Sequence, residues 1–125
     1  MKITKDYEGI VRKKSGDYYI SGSIVTKENI KIELDDRLQV EGSIISEKGI
    51  ESNTTLIAGG GIKAGDGIDA GDGIYAKTYI DCGKRIFAGT SIYENEEAEK
   101  TISCAELRNG LIAYGELIVT EDKYE

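Results

Sequence analysis

GIKAGDGIDAGDGIYA, Gly61 to Ala76, repeats itself every six residues. Ile62, Ile68 and Ile74 mark the beat, and each is followed two positions later by alanine: Ala64, Ala70 and Ala76. An amphipathic helix spaces its apolar residues three and four apart, so a strict period of six is not helical. A short strand supplies it directly, because side chains at i and i+2 share one face of a strand. Each hexad then reads as two inward side chains, one outward side chain between them, and a corner.

The beat runs outward in both directions. Leu38, Ile44, Ile50 and Leu56 precede the stretch, and Ile80, Ile86 and Ile92 follow it. The small partner two residues on is Val40, Ser46, Ser52, Ala58, Ala64, Ala70, Ala76, Cys82 and Ala88 in turn. Gly, Asp, Lys and Thr fill the remaining positions, and glycine at a corner offers the positive φ that a tight turn uses. A repeat at fixed spacing is the mark of a solenoid. The expected fold is all-β: a single-stranded triangular β-helix of about 18 residues per coil and five to six coils.

Extended past the regular region, the ladder takes in Tyr18, Ile24 and Ile30 upstream, with two extra residues near Asp35-Asp36. Downstream it takes in Ile102, Leu111 and Leu117, if loops of four and three residues are inserted within 94–100 and 106–110. The expected stacks are Tyr18, Leu38, Leu56, Ile74, Ile92 and Leu117 on face one. Face two carries Ile24, Ile44, Ile62, Ile80 and Ile102, and face three Ile30, Ile50, Ile68, Ile86 and Leu111. The chain reads as one domain: an N-terminal cap over 1–17, coils over 18–118 and a C-terminal tail over 119–125.

Two resemblances attach to these residues. The Gly-x-Ile-x-Ala/Ser pattern at Gly42-Ser43-Ile44 and Gly60-Gly61-Ile62 resembles the core of bactofilins, which are polymerising right-handed β-helix proteins of the cytoskeleton. GIKAGDGIDAGDGI (Gly61 to Ile74), RIFAG (Arg85 to Gly89) and AYGEL (Ala113 to Leu117) are similar to a group of short bacterial GIxAG-repeat proteins. That likeness covers about the last two-thirds of the chain and implies no function. The small residue follows the aliphatic here, whereas left-handed hexapeptide helices place it before. With the bactofilin likeness, this favours a right-handed helix.

Composition narrows the function classes. The 125 residues include 16 Gly, 8 Tyr and 2 Cys, with no Pro, Trp or His, and the formal net charge is −7. That balance opposes direct nucleic-acid binding, which draws on a Lys/Arg excess. No stretch is long and apolar enough to span a membrane. The N-terminal residues lack a signal-peptide core, so the expected location is cytoplasmic, with reduced thiols.

Chemistry is sparse. Without histidine, imidazole acid–base catalysis is excluded, and no carboxylate pair stands out. The expectation is a protein that is not an enzyme, with no catalytic residue, no cofactor and no metal. Cys82 and Cys104 are expected one above the other on face two as inert buried thiols. Gly65-Asp66-Gly67-Ile68-Asp69 superficially resembles calcium-binding repeats, but those have period nine. Asp66 instead falls between Lys48 and Lys84, and Lys63 meets Asp81. Gly59-Gly60-Gly61 lacks the Lys-Ser/Thr of a phosphate loop.

The outward positions say more. On face one they are Tyr19, Gln39, Ile57, Tyr75, Tyr93 and Ile118. Tyr19, Ile57, Tyr75, Tyr93 and Ile118 form an apolar stripe on a side meant for water, which suits either a homo-oligomer interface or cover by the chain itself. Glu94, Glu96, Glu97 and Glu99 are the densest acidic run. The expected function is an acidic, self-associating interaction protein that binds a basic partner. A sharper form is a nucleic-acid mimic, a mobile-element antagonist that inhibits a host nuclease or DNA/RNA-binding protein. The alternative is a bactofilin-like, polymer-forming scaffold, which needs unprotected coil ends.

Overall fold

A computed structural model describes residues 1–90 and 100–120 of the chain. Two short strands come first, β1 (Lys2–Ile3) and β2 (Ile10–Arg12). Each hexad then becomes a three-residue strand: β3 (Tyr18–Ile20), β4 (Ile24–Thr26), β5 (Ile30–Ile32), β6 (Leu38–Val40), β7 (Ile44–Ser46), β8 (Ile50–Ser52), β9 (Leu56–Ala58), β10 (Ile62–Ala64), β11 (Ile68–Ala70) and β12 (Ile74–Ala76). Longer strands close the chain: β13 (Tyr79–Ala88), β14 (Thr101–Cys104), β15 (Glu106–Tyr114) and β16 (Glu116–Val119).

The strands pair in parallel with the strand 18 residues on, as Leu38 with Leu56 and Ile74, Ile44 with Ile62 and Ile80, and Ile50 with Ile68 and Ile86. The result is a β-solenoid of about five coils. Face one is a seven-stranded sheet, β2-β3-β6-β9-β12-β14-β16. Faces two and three form one nine-stranded sheet, because β13 and β15 each run round the corner between them. The marking aliphatics from Leu38 to Ile86 are at most 2 % exposed, and their small partners line the same interior. Each such side chain contributes roughly 1.5–3 kcal/mol of burial, set against the entropy of ordering its hexad.

The repeat glycines serve a purpose other than the expected positive φ. Positive φ occurs at Gly9, Gly16, Gly22, Gly89, Gly110 and Gly115, outside the regular hexads. Within them the constraint is coil-on-coil approach. A Cβ on Gly65 would run into the carbonyl oxygen of Glu47, and one on Gly83 into that of Gly65. At these two positions the stacked backbones come too close for a side chain.

After Ala88 the expected stacking is corrected. Ile102 pairs with Ile74 on face one, not with Ile80 on face two. Ile92 and the rest of 91–99 lie outside the described residues. From Ile102 onward the beat drops to five: Leu107 stacks on Ile80, Ile112 on Ile86, and Leu117 on Ile102. Leu111, expected on Ile86, pairs with Arg85 and is largely exposed. No insertion is therefore needed within 106–110; that coil is shorter than the others. Glycine makes the shortening possible. Gly110 and Gly115 take φ values of 131° and 124°, and a Cβ on them would meet the Ile86 and Ile102 side chains at 2.7 and 2.9 Å. Backbone occupies the space that alanine fills in the hexads.

At the other end, β1 pairs in parallel with β5 and β2 lies antiparallel on β3. Ile3 is fully buried, and Tyr7 and Ile10 pack against the core.

Adding a single methyl tests the stacked corners. Gly83→Ala is expected to cost about 1–3 kcal/mol, as overpacking does, read as a lower urea midpoint. Lys63→Ala, on an outward position, is expected to leave the midpoint within about 0.5 kcal/mol.

Candidate interaction surfaces

Stacking turns each outward position into a column. The face-one column is Val11, Tyr19, Gln39, Ile57, Tyr75, Ser103 and Ile118. It brings Tyr19, Ile57, Tyr75 and Ile118 onto one side, with Ser103 interrupting between the last two. Tyr93 lies outside the described residues, as do Glu94, Glu96, Glu97 and Glu99. Tyr19, Ile57 and Tyr75 are half-buried, and the Lys13 ammonium sits 4.9 Å from the Tyr19 ring.

Face two carries Val25, Ile45, Lys63, Asp81 and Asn109 outward. Lys63 and Asp81 share a register position, and Asp81 accepts a hydrogen bond from Asn109 at 3.2 Å. At the next corner Lys84 pairs with Asp66 at 3.5 Å, while the Asp66 amide donates to the Lys48 carbonyl. Face three carries Lys2, Lys31, Glu51, Asp69, Phe87 and Tyr114. An open groove of about 440 Å³ lies on it, with Gly49, Glu51, Gly67, Asp69 and Phe87 among its lining residues.

The N-terminal end is tied by polar contacts. The Tyr18 hydroxyl accepts from Arg12 at 3.0 Å and donates to Asp35 at 2.7 Å. That bond to Asp35 holds the phenol above its ordinary pKa and the Asp35 carboxyl below its own. Arg37 reaches the buried Asp17 with two hydrogen bonds of 3.2 Å. This arrangement pins the cap.

The C-terminal coil has polar ties of its own, with Arg108 4.0 Å from the Tyr79 ring and Lys100 5.3 Å from that of Tyr114, beside exposed apolar side chains. Ile102 and Cys104 are inward residues and 0 % exposed, but Leu117 and Val119, stacked on them, are 39 % and 50 % exposed. Leu111, Tyr114 and Ile118 are exposed too, Tyr114 in the face-three column and Ile118 in the face-one column. β15 and β16 are the last strands of their sheets among the described residues. Periodicity hid this end, because a terminal coil carries the same inward aliphatics as an interior one. The runs Leu111-Ile112 and Leu117-Ile118-Val119, which break the in–out alternation, were the available signal.

Cys82 and Cys104 do not stack on each other as expected. Cys82 lies in β13 on face two and Cys104 in β14 on face one, because the chain after Ala88 re-enters the ladder at Ile102 on face one, one face before the expected one. Both are free and buried, and Cys82 donates to the Asp66 carbonyl at 3.0 Å. Among the described residues no three His, Cys, Asp or Glu side chains group to hold a metal, and no helix is long and apolar enough to cross a membrane.

Burial raises both thiol pKa values. The folded state therefore keeps thiol protons that the unfolded chain releases near pH ~8.5. The associated stability is whole below about pH 8.5 and is lost as the pH climbs from there toward the folded values. In urea melts between about pH 8 and 10, a Cys82→Ala/Cys104→Ala chain is expected to lose stability less steeply than the wild type. Equal slopes would show that the thiols are not protected.

No family model, curated protein or solved structure matches the chain.

Proposed function

We propose that the chain is a structural scaffold protein that associates with copies of itself, rather than an enzyme, and that the C-terminal coil is its joining surface. The observation that carries this reading is the exposure of Leu117 and Val119, side chains whose counterparts one coil earlier are fully buried. A β-solenoid coil buries its neighbour, and among the described residues no further strand pairs with β15 or β16 or covers Leu117 and Val119. Another strand edge supplies both at once. The resemblance of the hexad pattern to the bactofilin core points the same way. The half-buried face-one column, broken by Ser103, is a weaker candidate for the joint. Nothing described bears on the acidic run 94–99, so the basic-partner reading has no comparable support.

Sedimentation at two concentrations tests the proposal. The wild type is expected well above the 13.6 kDa of one chain. Ile118→Glu together with Val119→Glu is expected to give a folded monomer, with at least a tenfold weaker association. A wild type that stays monomeric at high concentration, or a double variant that still associates, sinks it.

A further inference from the structure

We infer that the face-three groove takes up an arginine side chain from an extended, basic segment of another protein. The site lies on the regular coils and uses neither the joining surface nor residues 94–99, so it stands or falls apart from the scaffold reading.

Two features meet in this groove, and the fold by itself calls for neither. The first is a pair of missing side chains. Asn29, Gly49, Gly67 and Arg85 occupy one position on successive coils, each just before the marking aliphatic of face three. That position accepts a side chain, since Asn29 and Arg85 stand there. Gly49 and Gly67 are not required by conformation, because neither has a positive φ. Nor does coil stacking demand them. A Cβ on Gly49 would meet Asn29 Oδ1 at 3.3 Å, and one on Gly67 the Arg85 carbonyl at 3.1 Å, so the neighbour need yield only a few tenths of an ångström. At Gly65 and Gly83 the same atom would run into a carbonyl oxygen. Bare backbone at 49 and 67 serves instead to leave the groove open.

The second feature is unrelieved charge. Glu51 and Asp69 share a register position on adjacent coils, with Phe87 next in the column. Like charges set directly opposite in a ladder are destabilising. The other like pair in this column, Lys2 and Lys31, is relieved by Glu33, which reaches them at 3.4 and 3.6 Å. Asp69 accepts a hydrogen bond from the Thr90 hydroxyl at 2.9 Å. Among the described residues no Lys or Arg pairs with Glu51 or Asp69.

A guanidinium complements this lining. Strands about 4.8 Å apart set two carboxylates within reach of its planar fork of donors. Its face stacks on an aromatic ring such as Phe87, and its methylene stem covers apolar surface. A lysine ammonium offers neither the fork nor the plane. The chain's own remaining residues are poor occupants by charge. Residues 91–99 carry four Glu and no Lys or Arg, and 121–125 carry three acidic residues against Lys123.

Fluorescence anisotropy at about 0.15 M salt tests this with a labelled Gly-Arg-Gly-Arg-Gly peptide and its lysine counterpart of equal charge. The arginine peptide is expected to bind at least threefold tighter than the lysine one. Glu51→Gln with Asp69→Asn is expected to weaken it at least tenfold, and Phe87→Ala at least threefold. Gly49→Asn with Gly67→Asn puts back the side chain that Asn29 carries and leaves the net charge at −7. It is expected to weaken binding at least tenfold, and Gly67→Ala, a smaller filling, at least threefold, in chains that still unfold cooperatively in urea. A wild type that binds neither peptide overturns the site. Equal binding of the two peptides, or filled-groove variants that fold and bind like the wild type, would leave only the general attraction of cations to an acidic chain and overturn it as well.

Discussion

Everything in this fold follows from the spacing of a parallel ladder. Stacked strands lie about 4.8 Å apart, so each residue rests on the residue one coil earlier and must be compatible with it. Inside, that favours identical aliphatics, which nest without voids. At the corners it favours glycine, because the backbone of one coil sits against the carbonyls of the last, as at Glu47, Gly65 and Gly83. Outside, it sets equal charges directly over one another unless the sequence intervenes. The face-three column changes from Lys31 to Glu51, and Lys84 meets Asp66 at its corner. An acidic chain can therefore stack without forming long rows of one sign.

The same constraint explains what was legible in the sequence. Between Leu38 and Ala88 one apolar phase exists, and the strands, their register and both faces of each strand could be read from it. Beyond Ala88 several phases compete. Ile92, Ile102, Leu107, Leu111, Ile112 and Leu117 admit more than one threading, and the regular beat favoured six. The fold takes five, because Gly110 and Gly115 can adopt positive φ and bring backbone to the core. The cost of choosing the wrong phase was local but consequential. It placed Ile102 on face two, and with it Cys104 above Cys82.

The candidate site was less legible than the fold. An interior coil and a terminal coil have the same inward residues, and only the presence of a neighbour distinguishes a buried Ile102 from an exposed Leu117. The face-one stripe was visible because outward positions are fixed once inward ones are known. Its continuity was not, because Ser103 enters the column through the re-entry of the chain at β14. Outward apolar residues on the sides of a solenoid also meet neighbouring coils above and below, which leaves Tyr19, Ile57 and Tyr75 half-buried without any partner chain.

A solenoid has two ends, and how each is finished decides whether it is a monomer, a closed oligomer or a filament. Stability in such a fold is close to a sum of coil terms and coil-to-coil interfaces, so a finished end saves one interface that an open end lacks. At the N-terminal end β2 lies antiparallel on β3 beside a network centred on Tyr18 and Asp35, while β1 adds one more parallel strand on β5. Among the described residues the last coil is shortened, and Leu117 and Val119 in it are exposed.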